Sequence, residues 1–301
     1  MIESRNFLNS KEYCKIRETK PKNTNNELFD SDKVFLYFGS FIHRTSFAAW
    51  DLSGIVNKLW AKFVTVDWPK TEFEKEKVMD QLLEYIKNNK DKEFIIAGLS
   101  FWEIVARNLF ERLNEEEKHQ IKLYISICWV SEWGLLNLPK YIDLIKRVNK
   151  KILEILTWTA WKIDRCSLWN TSKRFISRKA VERSREIVDN VWMHRIERHI
   201  KAASLWINPW LADRLLYVLE QDATECKNNE IETAILYSEN DQTFDDPKQN
   251  ALCLQKMHKK SILVNLWKAG HAALVERPEK YNEVLRKLLE DKWGSFGEGG
   301  N

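Results

Sequence analysis

Three side chains that could together activate a hydroxyl nucleophile are spread widely along the sequence: Ser100, Asp241 and His271. Each comes shortly after an apolar run that is typical of a buried β-strand. A serine hydroxyl becomes a good nucleophile when a neighbouring imidazole accepts its proton, and a carboxylate keeps that imidazole in the required tautomer. Because ligands bind at the carboxyl ends of the strands in open α/β sheets, these positions predict a site for nucleophilic attack on a substrate.

The elements that must position these residues alternate between strand and helix. Apolar, β-branched runs predict strands at residues 33–38, 63–66, 93–97, 121–128, 232–238 and 261–265, with a short strand near Tyr13–Arg17. Helical spacing of apolar residues predicts helices at 46–60, 72–88, 101–113, 247–258 and 278–291. The early strands begin about thirty residues apart, as in βαβ units. The sequence therefore predicts an α/β fold with a mostly parallel sheet that helices cover on both faces.

The alternation is interrupted once. Residues 139–221 contain no convincing strand and predict several helices, so we expect them to form a helical insert. The α/β core then consists of two segments, 33–138 and 222–293. A polar N-terminal segment, 1–32, precedes the core, and a glycine-rich tail, 294–301, follows it and is expected to be flexible.

The charge distribution argues against some classes of partner. The formal net charge is only +4, which is no signature of a nucleic-acid-binding protein. Residues 140–201 carry 16 Lys and Arg against 7 Asp and Glu, so positive charge is concentrated in the insert. Two interpretations of this excess stay open, a solvated helical face and a surface that attracts an anionic substrate or an acidic acyl carrier. The glycine-rich phosphate-binding motifs are missing, so the sequence does not support nucleotide binding.

The number of cysteines and the hydropathy of the sequence indicate the cellular compartment. The five cysteines are an odd number, widely scattered and without a C-x-x-C pair, which argues against a disulfide framework or a zinc knuckle. No run approaches the roughly 20 apolar residues of a membrane helix. The first residues lack the apolar stretch of a signal peptide. We therefore expect a cytoplasmic protein with no membrane span. His194 and His199 lack the spacing for shared metal ligation on one helix face, and we expect no metal or organic cofactor.

The surroundings of the three reactive residues resemble a known superfamily. Gly98-Leu99-Ser100 joins a predicted strand to a predicted helix, which is the context of a nucleophile elbow. Residues 235–241 (ILYSEND) resemble the acid-bearing strand of the α/β-hydrolase superfamily, and residues 270–279 (GHAALVERPE) resemble its histidine loop and last helix. The resemblance covers residues 33–134 and 231–290. It implies an α/β-hydrolase fold in which the helical insert is the lid.

This resemblance implies a role for each site residue. Ser100 would be the nucleophile, His271 the general base and later the acid for the leaving group, and Asp241 would orient His271. The oxyanion hole would use the backbone N–H of Phe101, directly after the nucleophile. Its second donor would be the backbone N–H of Ser40, in the turn after the first clear strand.

Two of these assignments have alternatives in the sequence. Asp245 and Asp246 lie close enough to Asp241 in the chain to serve as the acid instead. Phe41 could supply the second oxyanion donor in place of Ser40. The superfamily's turn usually carries a histidine where this chain has Phe38, a residue that shapes the turn without entering the chemistry.

The implied activity is that of an esterase-like serine hydrolase. Such an enzyme cleaves an ester, thioester or related acyl bond of a small molecule through an acyl-enzyme. An acyltransferase or a C–C hydrolase uses the same triad, so both remain alternatives. A third alternative is a non-catalytic binding protein, because Trp102 replaces the second glycine of the elbow and its indole would disturb the packing of the helix there.

Glycine and tryptophan occur in unusual proportions. The 301 residues include only 9 Gly, well below the usual share of about 7%, but 14 Trp. Trp60, Trp68, Trp102, Trp129 and Trp267 all fall at or beside turns where the superfamily commonly has glycine. One hypothesis is that these positions are encoded by UGA in a lineage that reads UGA as glycine. The other is a genuinely tryptophan-rich chain with a distorted elbow.

Overall fold

A seven-stranded sheet is the framework of the protein. The computed structural model describes residues 14–19, 31–38, 50–67, 74–99, 102–128, 230–241, 244–270, 273 and 277–294. The strands are β1 (Lys15–Thr19), β2 (Lys33–Phe38), β3 (Lys62–Asp67), β4 (Glu93–Leu99), β5 (Ile121–Ile127), β6 (Thr233–Tyr237) and β7 (Ser261–Asn265). Their order in the sheet is β1-β3-β2-β4-β5-β6-β7. The β1–β3 pair is antiparallel and the other pairs are parallel, which confirms the mostly parallel sheet that the sequence predicts.

Helices cover both faces of this sheet, as expected. Within the described residues they are α1 (Trp50–Lys58), α2 (Lys75–Lys87), α3 (Trp102–Arg112), α4 (Glu115–Gln120), α5 (Pro247–Met257) and α6 (Pro278–Trp293). Buried side chains of α2, α3 and α5 form one hydrophobic core with the sheet. Buried side chains of α1 and α6 form a second core on the opposite face. The fold is therefore a three-layer α/β sandwich.

The strand β2 shows how the sequence builds two cores at once. Val34, Leu36 and Phe38 point to the core shared with α2 and α3, whereas Phe35 and Tyr37 point to the core shared with α1 and α6. Successive side chains of a strand alternate between faces, so a strand covered on both sides is apolar along its whole length. This is why the central strands are readable as continuous apolar runs.

One short helix was not predicted from the sequence, and one short predicted strand is present with slightly different bounds. The helix α4 lies in a stretch with no predicted helix, and it begins with a capping box in which Asn114 and Glu117 each accept the other's backbone N–H. The short strand predicted near Tyr13–Arg17 is confirmed as β1, two residues further along the chain, and it joins the edge of the sheet. Cys14, just before it, is buried in the core, and its backbone is held by the Gln81 side chain.

The predicted insert, 139–221, lies outside the described residues, and its lid role stays a prediction. The predicted tail is described only at its first residue, Gly294. Among the helices that the structure describes, none is long and apolar enough to cross a bilayer.

Candidate active site

The carboxyl ends of six parallel strands form one edge of the sheet. These strands are successive neighbours in the order β3, β2, β4, β5, β6 and β7. Leu99 ends β4 and directly precedes Ser100. Tyr237 ends β6 and is paired in register with Asn265, the last residue of β7. The chain segments that lead to the predicted site residues therefore all leave the sheet at this edge.

Asp241 is the predicted triad member that the structure describes. The other predicted positions lie outside the described residues: Ser40, Phe41, Ser100, Phe101 and His271. Their roles in nucleophilic attack, proton transfer and oxyanion stabilisation stay predictions.

Asp241 is buried at this edge, with 2% of its surface exposed. Its backbone N–H donates to the Ser238 carbonyl at 3.2 Å, and its carbonyl accepts from the Phe244 N–H at 3.3 Å, so successive turns hold it just after β6. Aspartate is almost never fully buried unless it is paired, because removing a carboxylate from water is costly. A buried aspartate at a strand end is thus a position where the fold must supply polar partners.

The two alternative acids have different surroundings. Asp245 and Asp246 are both exposed. The Oδ1 atom of Asp246 accepts the backbone N–H of Gln249 at 2.9 Å and caps α5, whose first residue is Pro247. This is the usual role of an aspartate at a helix N-cap. Of the three candidates, Asp241 alone is buried.

Backbone hydrogen bonds join the loops that follow β6 and β7. The Asn240 N–H donates to the Ala269 carbonyl at 3.2 Å. Asn240 directly precedes Asp241, and Ala269 lies two residues before His271. The loop that carries the predicted acid is thus hydrogen-bonded directly to the segment that leads to the predicted base.

Further contacts fasten these two loops along their length. The Glu239 N–H donates to the Trp267 carbonyl at 3.0 Å. The Asn265 side-chain amide donates to a Glu239 carboxylate oxygen at 2.6 Å, and the Asn240 amide donates to the Lys268 carbonyl at 3.2 Å. Because backbone and side-chain bonds act together, the spacing between the loops is fixed by several residues.

Buried polar groups lie under this edge. The Sγ atom of Cys128, directly after β5, is 3.8 Å from the Oγ atom of Ser238, directly after β6. Tyr37 and Tyr281 are fully buried below, and burial raises the pKa of both phenols far above the ordinary value for tyrosine. Both phenols are therefore neutral throughout the usual pH range.

Sequence reasoning did not single out these groups, although one signal was available. Cys128 follows β5 as Ser100 follows β4, and polar residues directly after parallel strands are candidates for a site at the carboxyl edge. A small cavity beside Asp241 is lined in part by Cys128, Ser238, Phe244 and Asn250. In the part of the chain that is described, no group of three or more His, Cys, Asp or Glu is arranged to hold a metal ion.

Solved structures with the same arrangement of strands and helices decide the fold. An esterase from Exiguobacterium antarcticum superposes with a TM-score of 0.65 at 12% identity, over 92% of this chain and 95% of the esterase. A bromoperoxidase from Bacillus anthracis gives a TM-score of 0.67 at 12% identity, over 92% of this chain and 95% of the other. The chain has the α/β-hydrolase fold.

Other α/β-hydrolase structures agree with this assignment. The enol-lactonase from Burkholderia xenovorans gives a TM-score of 0.64 at 11% identity, over 92% of this chain and 96% of the enzyme. By sequence, no family model and no curated protein matches the chain. At identities this low, the structural similarity establishes the α/β-hydrolase fold but no particular activity.

Proposed function

We propose that the protein is a serine hydrolase that cleaves an ester, thioester or related acyl bond of a small molecule through an acyl-enzyme on Ser100. One observation carries this proposal: Asp241 is buried on a loop whose backbone is bonded to the loop leading to His271. Parallel strands direct the segment before Ser100 to the same edge of the sheet. The serine, the imidazole and the carboxylate of a triad would then converge from three separate strands.

The first half of the proposed reaction forms the acyl-enzyme. The Ser100 hydroxyl attacks the substrate carbonyl carbon while His271 accepts its proton, and Asp241 stabilises the resulting imidazolium. The negative charge on the substrate oxygen is stabilised by the backbone N–H groups of Phe101 and Ser40. The tetrahedral intermediate then collapses, and the alcohol or thiol leaves with the proton from His271.

The second half regenerates the enzyme. A water molecule loses a proton to His271 and attacks the acyl carbon, and the bond to Ser100 breaks as the proton returns to the serine oxygen. The products are a carboxylic acid and free enzyme. These steps require the three side chains, the two backbone N–H groups and one water, and no metal or organic cofactor enters them.

The names of the structural neighbours support carbonyl chemistry of this kind. Two of the similar structures are esterases and one is an enol-lactonase, and both names describe hydrolysis of an oxygen ester. We extend this chemistry to the present chain as part of the proposal. The basic composition of residues 140–201 favours an anionic acyl substrate. We also propose the cytoplasm as the compartment, because the five cysteines are odd in number and widely scattered in the sequence.

The decisive experiment is covalent labelling with a fluorophosphonate probe. We expect the probe to modify Ser100 and to be lost in Ser100→Ala. The matched control, Ser53→Ala on α1, should label like the parent. Both variants should be made in the chain as written and in Trp102→Gly, since position 102 lies in the elbow. If all the folded parents stay unlabelled, the protein is a binding protein with this fold, and the hydrolase proposal is wrong.

The choice of acid is tested separately. Asp241→Asn should lower kcat on a p-nitrophenyl ester by about 10⁴, because the amide holds the imidazole in the wrong tautomer. The exposed Asp245→Asn is the matched control and should leave kcat unchanged. A fall in kcat only in Asp245→Asn would reassign the acid to Asp245. An equal fall in both variants would contradict the assignment of the acid to Asp241.

A further inference from the structure

The end of helix α1 has a backbone conformation that favours glycine. The Trp60 N–H donates to the Asn57 carbonyl at 3.1 Å, and the Ala61 N–H donates to the Val56 carbonyl at 3.4 Å. This pair of bonds is a Schellman motif, in which the residue at the position of Trp60 is usually glycine in the left-handed region. Trp60 has φ of 56°.

The side chain of Trp60 lies largely outside the core. The residue is 68% exposed. The backbone of Trp60 makes hydrogen bonds on both sides. Its carbonyl accepts a hydrogen bond from the Ser31 hydroxyl, and its N–H donates to the last turn of the helix. Glycine supplies both groups and enters the left-handed region without a steric penalty.

The loop before His271 repeats this combination. Trp267 has φ of 62° and is 62% exposed. Its N–H donates to the Asn265 Oδ1 at 2.6 Å and its carbonyl accepts from Glu239. The Lys280 ammonium lies 5.4 Å from the centre of the indole ring. Again the backbone is fixed on both sides and the side chain projects into solvent.

Two exposed tryptophans with a left-handed backbone require a common explanation. Tryptophan has a bulky Cβ substituent and no polar group that could stabilise a left-handed backbone, unlike asparagine or aspartate. Yet the chain is short of glycine and rich in tryptophan. The codon UGA accounts for both facts together, because some genetic codes read it as tryptophan and others as glycine.

From these observations we infer that positions 60 and 267 are glycine in the natural protein, encoded by UGA, and that position 102 is glycine for the same reason. Position 102 is the first residue of α3 and stands two residues after Ser100. Glycine there completes the G-x-S-x-G pattern of a nucleophile elbow. This third assignment rests on the proposed function, whereas the first two rest on backbone geometry alone.

The inference does not extend to every tryptophan. Trp293 lies inside α6 with only 8% of its surface exposed, and its side chain belongs to the core shared by α1 and α6. Its Nε1 atom finds no hydrogen-bond partner among the described residues, but the ring packs in the core and the backbone is right-handed, so nothing in the conformation at this position requires glycine. We therefore assign UGG to position 293 and UGA to positions 60, 102 and 267.

The direct test combines the gene with the protein isolated from its natural source. Peptide mass spectrometry should find glycine at positions 60, 102 and 267 and tryptophan at 293, and the codons should divide in the same way. Tryptophan at position 60 or 267 in natural material, or UGG at either codon, overturns the inference.

Recombinant variants give a second test that depends on physical chemistry alone. Trp60→Gly and Trp267→Gly should each raise the melting temperature of the chain as written, whereas Trp293→Gly should lower it. Stabilisation at neither left-handed position contradicts the structural basis of the inference.

A third measurement separates this inference from the proposed function. Trp102→Gly should react with the fluorophosphonate probe faster than the chain as written, by about 10²–10³-fold if the bulky residue displaces one oxyanion donor. If mass spectrometry finds glycine at positions 60 and 267 but the Trp102→Gly variant is never labelled, the recoding stands and the hydrolase proposal fails.

Discussion

The ends of helices α1 and α6 pose the same structural problem and carry different residues. In α1 the buried Leu59 is followed by Trp60 at φ 56°, and in α6 the buried Trp293 is followed by Gly294 at φ 86°. At each helix end, an apolar side chain that packs into the core is thus followed by a residue with positive φ. In α6 the indole takes the buried position and glycine the strained one, whereas in α1 an indole occupies the strained position.

This difference separates what the backbone requires from what the side chain contributes. Burial of an aromatic side chain is among the largest stabilising terms available to a single residue. An exposed indole in the left-handed region gains little of that term and bears the steric cost of its Cβ. The same residue type is therefore expected to stabilise one helix end and to destabilise the other, and substitutions at both ends can measure this.

The largest effect is expected at the buried indole. Trp293→Ala should destabilise the protein by about 3–5 kcal/mol, because it removes an aromatic side chain from a packed core and leaves a cavity. The free energy of unfolding from urea titration is the measurement. Trp60→Ala is the matched control and should change stability far less, since the indole at position 60 is mostly exposed. Similar losses in the two variants would remove the distinction between the helix ends.

The second effect concerns the glycine that ends α6. Gly294 has φ of 86° and ψ of 160°, a region that residues with a side chain rarely enter, so Gly294→Ala should cost about 1–3 kcal/mol. Gly54, within α1, offers a control of opposite sign because no atom lies within 4 Å of a Cβ placed there. Gly54→Ala should stabilise the protein by about 0.5–1 kcal/mol through helix propensity. A stabilising Gly294→Ala would show that the left-handed turn there is not required.

How well the sequence predicts each strand or helix depends on whether local or tertiary interactions form it. The central strands follow from their composition, since a strand buried on both faces is apolar throughout. The edge strand β1 has a polar sequence and is fixed by pairing with β3, a tertiary contact that local pattern does not reveal. The short helix α4 carries the capping signature Asn114-x-x-Glu117 in its sequence, so it was open to prediction from the residues alone.

At the site, sequence narrows the acid to three residues and structure distinguishes them. Asp241, Asp245 and Asp246 lie within six positions of one another, and nothing in their spacing shows which is buried. Burial depends on the turns after β6 and on where α5 begins, and Asp246 is used to begin α5. The left-handed conformation at Trp60 and Trp267 is likewise a consequence of hydrogen bonds on both sides, although glycine-poor composition already marks these turns as unusual.

A smaller effect is expected when the strained residue at the end of α1, Trp60, is replaced by glycine. Trp60→Gly should stabilise the chain by about 1 kcal/mol, since relief of the left-handed strain outweighs the greater freedom of glycine in the unfolded state. Trp60→Ala removes the same indole but keeps a Cβ, so comparison of the two variants isolates the backbone term. At position 60 glycine should be more stable than alanine, the reverse of the order expected at position 54. If alanine equals glycine at position 60, the φ of 56° carries no strain and the comparison of helix ends loses its basis.

The smallest effect is expected at position 267, where the indole has one favourable contact. The Lys280 ammonium lies 5.4 Å from the ring centre, and a cation–π contact at an exposed site contributes about 0.5–1 kcal/mol. Trp267→Gly relieves the same backbone strain as Trp60→Gly but loses this contact, so its net gain should be about 0.5 kcal/mol or less. In a Lys280→Met background the contact is already missing, and the gain from Trp267→Gly should rise by about 0.5–1 kcal/mol. Unfolding free energies of the four chains of this cycle measure the coupling directly. A Trp267→Gly gain that is unchanged by Lys280→Met would mean that the ammonium contributes nothing to the stability of the indole at position 267.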